Sequence, residues 1–448
     1  MPAIKTLLIA NRGEIAIRVM RAAAELGIRT VAIYSQEDRF SLHRMKADES
    51  YLVGAGKTPL EAYLDVEGIV RIARESNADA VHPGYGFLSE NPAFAEACAA
   101  AGLIFIGPSP DTMRQLGNKV AARNLAVAAG VQVMPATPPL PYDDAGIIQQ
   151  ANAVGFPAML KASWGGGGRG MRVIEDASQL RDNVAAARRE AKAAFGNDEV
   201  YLEKLVRRAR HIEVQLLGDA HGNLVHLYER DCTVQRRNQK VVERAPAFFL
   251  TDVQRNELCE AALKIGRAAR YRNAGTVEFL QDADSGKFYF IEVNPRIQVE
   301  HTVTEAVTGV DIVQAQIRVA EGAAIGSPES GVPLQNDIRL QAHALQCRVT
   351  TEDPENNFVP DYGRITAYRS PAGFGVRLDA GTAYAGAIIT RSYDSLLVKV
   401  TTWAPTPERA IARMHRALWE FRIRGVVTNL RFCDQVITHR NFLDGSYT

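Results

Sequence analysis

The sequence predicts a mixed α/β chain, with α+β character in its second half. Three observations predict this class. Short apolar strands alternate with helices up to about residue 115, a strand–turn–strand unit lies between residues 277 and 301, and the stretch from about 338 to 448 is rich in strands. Because a domain averages about 150 residues, the length of 448 residues predicts about three domains.

Composition excludes several classes of protein. The formal net charge is +1, so the chain has no large excess of positive charge that would attract nucleic acid. No apolar run reaches the ~18 residues of a membrane-spanning helix, and the apolar run near the N-terminus is too short for a signal peptide. The five cysteines are scattered without a CxxC pair. We therefore expect reduced thiols in a cytoplasmic compartment, and no zinc site.

The N-terminal stretch predicts a parallel sheet with helices on both faces. The predicted elements are strands at Thr6–Ala10, Thr30–Tyr34, Ala78–Val81 and Leu103–Ile106, and a helix at Gly13–Leu26. The polar turn Asn11–Glu14 lies where a strand meets a helix, which is the usual ligand position in such sheets. The alternative is a turn that shapes the interface with the next domain, and both interpretations stay open here.

A glycine-rich tip separates two further predicted strands, Ala158–Ala162 and Met171–Ile174. Its consecutive glycines have no Cβ to hold peptide groups away from a phosphate chain, and they give the mobility that a lid requires. Lys161 precedes the tip and could reach phosphate oxygens. The alternative is a flexible surface hairpin.

The most informative stretch is Val277–His301, whose second half alternates apolar and polar residues. A period of two predicts an extended segment with its polar side chains on one face, namely Glu292, Asn294, Arg296, Gln298 and Glu300. Pro295 excludes a plain central strand. The turn Asp284–Gly286 predicts a hairpin in which Glu278 and Glu292 lie side by side.

Two adjacent carboxylates repel each other unless a cation or a shared proton lies between them. With Asn294 as a third ligand the donor set is all oxygen, which suits Mg²⁺ or Mn²⁺ better than zinc. The alternative is a half-buried hairpin with a solvated polar face.

The last segment is predicted to be mainly strands, at Leu340–Val349, Arg364–Tyr368, Gly375–Leu378 and Ser395–Val400. A helix follows Thr406, with Pro407 at its first position, and is predicted to end at Gly425. Residues 328–337 form a plausible domain boundary.

Glu278 together with Glu292-x-Asn294-x-Arg296-x-Gln298-x-Glu300-His301 resembles the metal and bicarbonate site of biotin carboxylases, which are ATP-grasp enzymes. The resemblance extends over essentially the whole chain and includes His82–Asn91. It implies a Rossmann-like pre-ATP-grasp domain at residues 1–115, an ATP-grasp domain at 116–334 with a mobile lid at about 135–205, and a barrel-like, β-rich domain at 335–448.

The resemblance also implies the roles of individual residues. The catalytic residues implied are Lys240, Arg296, Glu300 and Arg348. The same four residues, with Gln298 and the Val299 backbone, would bind bicarbonate or biotin. The metal ligands are Glu278, Glu292 and Asn294. ATP is bound by Lys119, Lys161, Gly165, Gly166, Gly167, Gly168, Glu203, Lys204, Leu205, His211, Gln235, Asn238, Leu280 and the two metal-binding glutamates. Asn238 departs from the histidine of many family members, and asparagine cannot act there as an acid or base.

The reaction implied is ATP-dependent carboxylation of biotin through carboxyphosphate, with Glu300 as the base for bicarbonate. Three stretches, Cys347–Phe358, Asp394–Val400 and Glu420–Val426, resemble pyruvate carboxylases more closely than acetyl-CoA carboxylases. The chain contains no Ala-Met-Lys-Met biotinylation sequence. We therefore expect biotin on a separate carrier domain, a carboxyltransferase partner, and a homodimer or part of a tetramer.

Three alternatives remain at this point. The first is the biotin carboxylase of an acyl-CoA or other oxo-acid carboxylase, which performs the same half-reaction. The second is another ATP-grasp ligase, for which Arg348 and the Arg296–Glu300 motif would have no purpose. The third is a non-catalytic module that keeps the fold for assembly.

Overall fold

A computed structural model of the chain describes residues 3–163 and 171–448. The fold class predicted from the sequence is confirmed: a parallel sheet is followed by antiparallel sheets with helices packed on them. Within the two described ranges, no helix is long and apolar enough to cross a membrane.

The first region is a parallel sheet flanked by helices. Its elements are β1 (Thr6–Ile9), α1 (Gly13–Glu25), β2 (Arg29–Tyr34), α2 (Leu42–Lys46), β3 (Glu49–Leu52), α3 (Pro59–Tyr63), α4 (Val66–Glu75), β4 (Ala80–His82), α5 (Pro92–Ala100) and β5 (Ile104–Phe105). The strand order is β3-β2-β1-β4-β5. Every residue of β1 is buried, as expected for a strand covered on both faces. The polar strand β3 was not predicted, because at the sheet edge it lacks an apolar run.

The middle region carries a small sheet and most of a large one. Its elements are α6 (Pro110–Gly117), α7 (Lys119–Ala128), α8 (Asp144–Val154), β6 (Ala158–Ala162), β7 (Arg172–Ile174), α9 (Leu180–Phe195), β8 (Val200–Lys204), β9 (Ala209–Gly218), β10 (Leu224–Arg236), β11 (Gln239–Ala245), α10 (Asp252–Ala268), β12 (Asn273–Asp282), β13 (Phe288–Asn294), α11 (His301–Thr308) and α12 (Ile312–Glu321). The small antiparallel sheet has the order β7-β6-β8.

The last region contains β14 (His343–Thr350), β15 (Glu352–Asp353), β16 (Val359–Pro360), β17 (Gly363–Arg364), β18 (Ala367–Arg369), β19 (Val376–Ala380), β20 (Ile388–Ile389), β21 (Leu396–Ala404), α13 (Pro407–Glu420), β22 (Arg422–Arg424), α14 (Leu430–Thr438) and α15 (Arg440–Asp444). Short 3₁₀ turns lie at Ala177–Gln179, Pro328–Ser330, Gln335–Asp337 and Pro354–Asn356. The predicted end of the helix at Gly425 is wrong. The helix ends at Glu420, because residues 422–424 pair with β18 as strand β22.

One eight-stranded antiparallel sheet joins the middle and last regions. Its order is β13-β12-β9-β10-β11-β14-β21-β19. Strands β11 and β14 pair directly, with Val242 opposite Cys347. The long strand β10 includes the polar run Glu229–Arg236, which by composition alone would be a solvated face. In the fold it lies between β9 and β11, so Glu229, Arg230 and Asp231 are buried, whereas Thr233–Arg236 stay half-buried.

Candidate active site

The predicted hairpin between β12 and β13 is confirmed, and Glu278 lies directly opposite Glu292. Directly opposed residues in an antiparallel pair project from the same face, so both carboxylates share one side of the sheet. Their surroundings differ. The side chain of Glu278 is 7% exposed, whereas that of Glu292 is 31% exposed.

The ammonium group of Lys240 lies at the centre of the site. Its Nζ donates to the carboxylates of Glu213 at 2.5 Å, Glu278 at 2.9 Å and Glu300 at 2.7 Å. These three carboxylates come from β9, β12 and the residue that precedes α11. One cation therefore joins three separate elements of the fold before any ligand binds.

Arg348 on β14 extends this cluster toward the last region. It donates to Glu300 at 3.0 Å and through Nε to Glu243 at 2.5 Å. Glu243 is fully buried and also accepts from Gln346 at 2.9 Å. Glu300 thus receives one cation on each of its two carboxylate oxygens.

Arg230, on β10, is completely buried and contacts the cluster through its guanidinium group. All of its N–H groups have acceptors, at 2.6–3.0 Å: Glu213, Gln215, Thr276, Gln298 and Thr304. A guanidinium has five N–H donors in a rigid fork, so this arrangement satisfies it fully. Arg230 therefore fixes the orientation of Glu213 and Gln298.

Burial and charge pairing oppose each other at Lys240 and Glu300. Burial disfavours the ammonium of Lys240, but Glu213, Glu278 and Glu300 outweigh it and raise the pKa of Lys240 well above its usual range. Burial likewise disfavours the Glu300 carboxylate, but Lys240, Arg348 and Arg230 outweigh that effect and hold its pKa far below its usual value. Both groups are charged at neutral pH.

The same balance applies to Glu278 and His211. Burial would raise the pKa of Glu278, but Lys240 and His211 lower it well below its usual range. Nε2 of His211 lies 3.0 Å from Glu278. Burial lowers the pKa of His211, and the attraction of Glu278 more than reverses this, so the net shift is upward.

The motif residues after β13 converge on the cluster although they do not continue the strand. Residues 295–300 form an irregular segment, and Glu300 precedes α11 as its N-cap residue. Gln298 donates to Glu278 at 3.0 Å. Arg296 donates to Asn294 at 3.1 Å, and its Nε lies 3.3 Å from Glu90 of the His82–Asn91 motif.

Four residues of the cluster were not predicted from the sequence, namely Glu213, Gln215, Arg230 and Glu243. Glu213 and Gln215 alternate with apolar residues on β9, so the period of two could have identified them. Arg230 and Glu243 gave no such signal, because they lie in runs where polar residues are usually solvated.

Two lysines predicted to bind nucleotide, Lys119 and Lys161, are more exposed than Lys240. Lys119, at the start of α7, lies 3.4 Å from Glu292, and each side chain is about a third exposed, at 32% and 31%. Lys161 on β6 pairs with Glu203 on β8. Gly165, Gly166, Gly167 and Gly168 lie outside the described residues.

The other predicted nucleotide contacts lie along β8–β12. The backbone N–H of Lys204 donates to Pro135 at 2.8 Å, and that of Leu205 donates to Pro157 at 3.2 Å. Gln235 donates to the Cys232 carbonyl at 2.9 Å. Leu280 lies opposite His211 in the sheet.

Asn238 occupies the exposed two-residue turn between β10 and β11. Arg237 and Asn238 both have positive φ, at 48° and 65°. A two-residue hairpin turn of this kind requires positive φ at both positions, and asparagine tolerates it well. The turn gives a backbone reason for asparagine at this position.

Among the described residues, two groups of three side chains could hold a metal ion, since the candidate ligand atoms within each group lie within 4.8 Å of one another. These groups are His211 with Glu213 and Glu278, and Glu213 with Cys232 and Glu300. Lys240 already contacts all three of these carboxylates. The donor set predicted for a divalent cation is Glu278, Glu292 and Asn294. In this structure the side-chain N–H of Asn294 donates to Glu278 at 2.9 Å, and the Asn294 oxygen accepts from Arg296 at 3.1 Å. The carboxylates of Glu278 and Glu292 offer the oxygen ligands that Mg²⁺ or Mn²⁺ prefers.

Three family models match the chain. They describe the biotin carboxylase N-terminal domain at residues 3–113, the ATP-binding domain of the carbamoyl-phosphate synthase L chain at 118–327, and the biotin carboxylase C-terminal domain at 346–448. The pyruvate carboxylase of Bacillus subtilis is 55% identical, over 99% of this chain and 38% of its own length. The chain thus spans well under half of that relative.

Two solved structures are also similar. A Rhizobium etli pyruvate carboxylase with the allosteric activator acetyl coenzyme A is 67% identical, with a TM-score of 0.95 over 100% of this chain and 40% of the other. The biotin carboxylase domain dimer of Hydrogenobacter thermophilus 2-oxoglutarate carboxylase, in complex with MgADP, ADP and bicarbonate, is 44% identical. Its TM-score is 0.94 over 100% of this chain and 97% of the other.

Proposed function

The chain belongs to the biotin carboxylase family, and we propose that it uses ATP and bicarbonate to carboxylate biotin held on a carrier domain. The observation that carries this proposal is the contact of Lys240 with Glu300, which in turn pairs with Arg348. It joins a buried carboxylate to two cations, which is what a site for a small anion and its proton acceptor requires.

In this proposal the chain's own residues bind and orient the two substrates. Lys240, Arg296 and Gln298, with the Val299 backbone, hold bicarbonate beside Glu300. Glu300 is ionised at neutral pH and accepts the proton as bicarbonate attacks the γ-phosphate, which gives carboxyphosphate and ADP. The depressed pKa makes Glu300 a weak base in the unliganded site. Proton transfer is therefore favoured only as the attack on phosphate draws negative charge from bicarbonate.

The phosphoryl group is neutralised from the open side of the cleft. Lys119 and Lys161 are the candidate phosphate contacts, and Glu278, Glu292 and Asn294 are the residues that would hold Mg²⁺ or Mn²⁺. The bound metal would supply charge neutralisation on the transferring phosphoryl group. Carboxyphosphate then gives CO₂ and phosphate, and the phosphate removes the ureido proton of biotin. Arg348 stabilises the negative charge left on biotin, whose ureido nitrogen then attacks CO₂ to give carboxybiotin.

For the whole enzyme we propose pyruvate as the final acceptor, with oxaloacetate as the product. This rests on 55% identity to the Bacillus subtilis pyruvate carboxylase, against 44% to the 2-oxoglutarate carboxylase domain. A carrier domain, a carboxyltransferase domain and self-association of this chain are part of the same proposal. A cytosol-like compartment also belongs to it, supported by five cysteines that are all buried and unpaired.

The test is phosphate release from ATP and Mg²⁺, with and without bicarbonate and free biotin. We expect release that requires bicarbonate and rises with biotin. Nucleotide binding without bicarbonate-dependent release, even after addition of a biotinylated carrier, would contradict the proposal and favour a structural module. Formation of oxaloacetate on addition of carrier, carboxyltransferase and pyruvate tests the acceptor separately.

A further inference from the structure

Lys399 is a fully buried lysine that the proposed mechanism does not use. It lies on β21 in the last region, and its side chain has no exposed surface. Burial of an ammonium is costly unless it is paired and hydrogen-bonded. Its partners therefore indicate what the residue does.

The two partners of Lys399 come from two other regions. Nζ donates to the backbone carbonyl of Val299 at 2.9 Å and lies 3.0 Å from the Glu14 carboxylate. Glu14 belongs to the first turn of α1 and also accepts a hydrogen bond from Tyr85. One ammonium group thus links all three regions of the chain.

The packing around Glu14 is tight enough to hold this arrangement. Gly381, just after β19, approaches the backbone of α1 so closely that a Cβ there would lie 2.6 Å from the Glu14 nitrogen. Neighbouring Arg12 stacks its guanidinium 3.7 Å from the ring centroid of Tyr393. The turn Asn11–Glu14 is therefore clamped against the last region.

Val299 is the residue between two predicted anion-binding residues. Gln298 precedes it and is held by Arg230 and Glu278, while Glu300 follows and is held by Lys240 and Arg348. Residues 295–300 belong to no strand and therefore have no ladder hydrogen bonds to fix their backbone. Lys399 provides an external anchor at the middle of this segment.

We propose that Lys399 is a positioning residue, which holds the Val299 carbonyl and so sets the orientation of the peptide group that joins Val299 to Glu300, with Glu14 keeping the ammonium in place. Glu14 of the first region and Lys399 of the last region then shape the bicarbonate pocket without touching the anion themselves. This inference rests on the proposed function, since it assigns a role in bicarbonate binding.

The decisive variant is Lys399→Met combined with Glu14→Gln, which removes the donor without leaving an unpaired buried carboxylate. Because a hydrogen bond from a charged group is lost, we expect the KM for bicarbonate to rise about tenfold or more. The KM for ATP should change less than about twofold. Amide hydrogen exchange in a peptide covering residues 295–300 should become faster than in the wild type.

The matched control is Arg255→Met combined with Glu229→Gln. This pair is also buried, with a separation of 2.9 Å and side-chain exposures of 11% and 0%, but it contacts Ala247 rather than residues 295–300. We expect a comparable fall in Tm with an unchanged KM for bicarbonate. An equal rise in both double variants, or no rise in the Lys399 variant, would overturn the positioning role.

Two further results keep the tests separate. If the wild type shows no bicarbonate-dependent turnover, the proposed function fails, while hydrogen exchange at residues 295–300 still decides whether Lys399 anchors the segment. If the double variant does not fold, Glu14→Gln alone tests the inference. It leaves the donor in place without its counter-charge, so a smaller rise of about threefold is expected, and an unchanged KM for bicarbonate would overturn it.

Discussion

The two ends of the cleft are built in different ways. At the buried end, Lys240 contacts three carboxylates, and its side chain is 13% exposed. At the open end, Lys119 and Glu292 lie 3.4 Å apart and are each about a third exposed, at 32% and 31%. Ion pairs in water contribute little because solvent screens them, whereas buried charges depend strongly on their partners.

This difference indicates when each end acquires its geometry. The charges at the buried end are paired by the fold itself, so the proposed bicarbonate pocket is preorganised. The open end has fewer fixed partners, and its lysines and carboxylates suit nucleotide phosphates and a cation that arrive together. Substitutions should therefore affect stability and chemistry at the buried end, and mainly ligand affinity at the open end.

The largest effect is expected for Lys240→Met. Removal of the cation leaves Glu213, Glu278 and Glu300 buried without it, and loss of one partner of a buried ion pair costs about 3–5 kcal/mol. Bicarbonate-dependent phosphate release should also fall at least about 100-fold. Chemical denaturation and phosphate release measure the two effects, with exposed Lys264→Met on α10 as the control. A variant with unchanged stability would contradict the preorganised buried end.

The next largest effect is expected for Glu300→Gln. Loss of the proton acceptor should lower bicarbonate-dependent turnover about 10²–10⁴-fold, whereas exposed Glu257→Gln should leave it unchanged. Turnover equal to the wild type would rule out Glu300 as the base.

The pH dependence of stability provides a second measurement on this variant. The pKa of Glu300 is held below its usual value of 4.5 in the folded state. Its stabilisation is therefore fully present above about pH 4.5 and is lost as the pH falls toward the folded-state pKa. The difference in unfolding free energy between wild type and Glu300→Gln should shrink as the pH falls below about 4.5. A difference that stays constant would contradict the pairing with Lys240 and Arg348.

At the open end, Glu292→Gln should act mainly on the metal. The Mg²⁺ concentration for half-maximal turnover should rise about tenfold, and the free energy of unfolding should change by less than about 1 kcal/mol. The matched control is Glu96→Gln, which breaks the half-exposed ion pair with Arg114 outside the cleft. An unchanged Mg²⁺ requirement would remove Glu292 from the donor set.

The smallest effect is expected for Asn238→Gly in the exposed turn between β10 and β11. Glycine adopts positive φ freely, so the free energy of unfolding should change by less than about 0.5 kcal/mol. In contrast, Asn238→Val should cost about 1–2 kcal/mol, because a β-branched residue is strained at positive φ. Thermal unfolding of the two variants distinguishes them. Equal losses would mean that the asparagine side chain, rather than the backbone, secures the turn.

The sequence predicted the parts of the site that depend on local order. The parallel sheet followed from alternating apolar strands and helices, and the opposition of Glu278 and Glu292 followed from a turn between two strands. The prediction from sequence failed where pairing with another strand decided the secondary structure. Residues 422–424 left the predicted helix to pair with β18, and β3 was missed because an edge strand needs no apolar run.

By itself, the sequence determined the hairpin that opposes Glu278 to Glu292, because a turn between two strands is a local feature. The extended segment predicted for the later polar residues was wrong beyond Asn294, where strand β13 ends before Pro295. Only the tertiary structure decided which charges meet. The carboxylates that contact Lys240 lie 27, 38 and 60 residues away along the chain, and Arg230 is buried by strands on both sides of β10. The physical reason is that pairing and desolvation depend on distance in space and on exclusion of water, and neither quantity is contained in residue order.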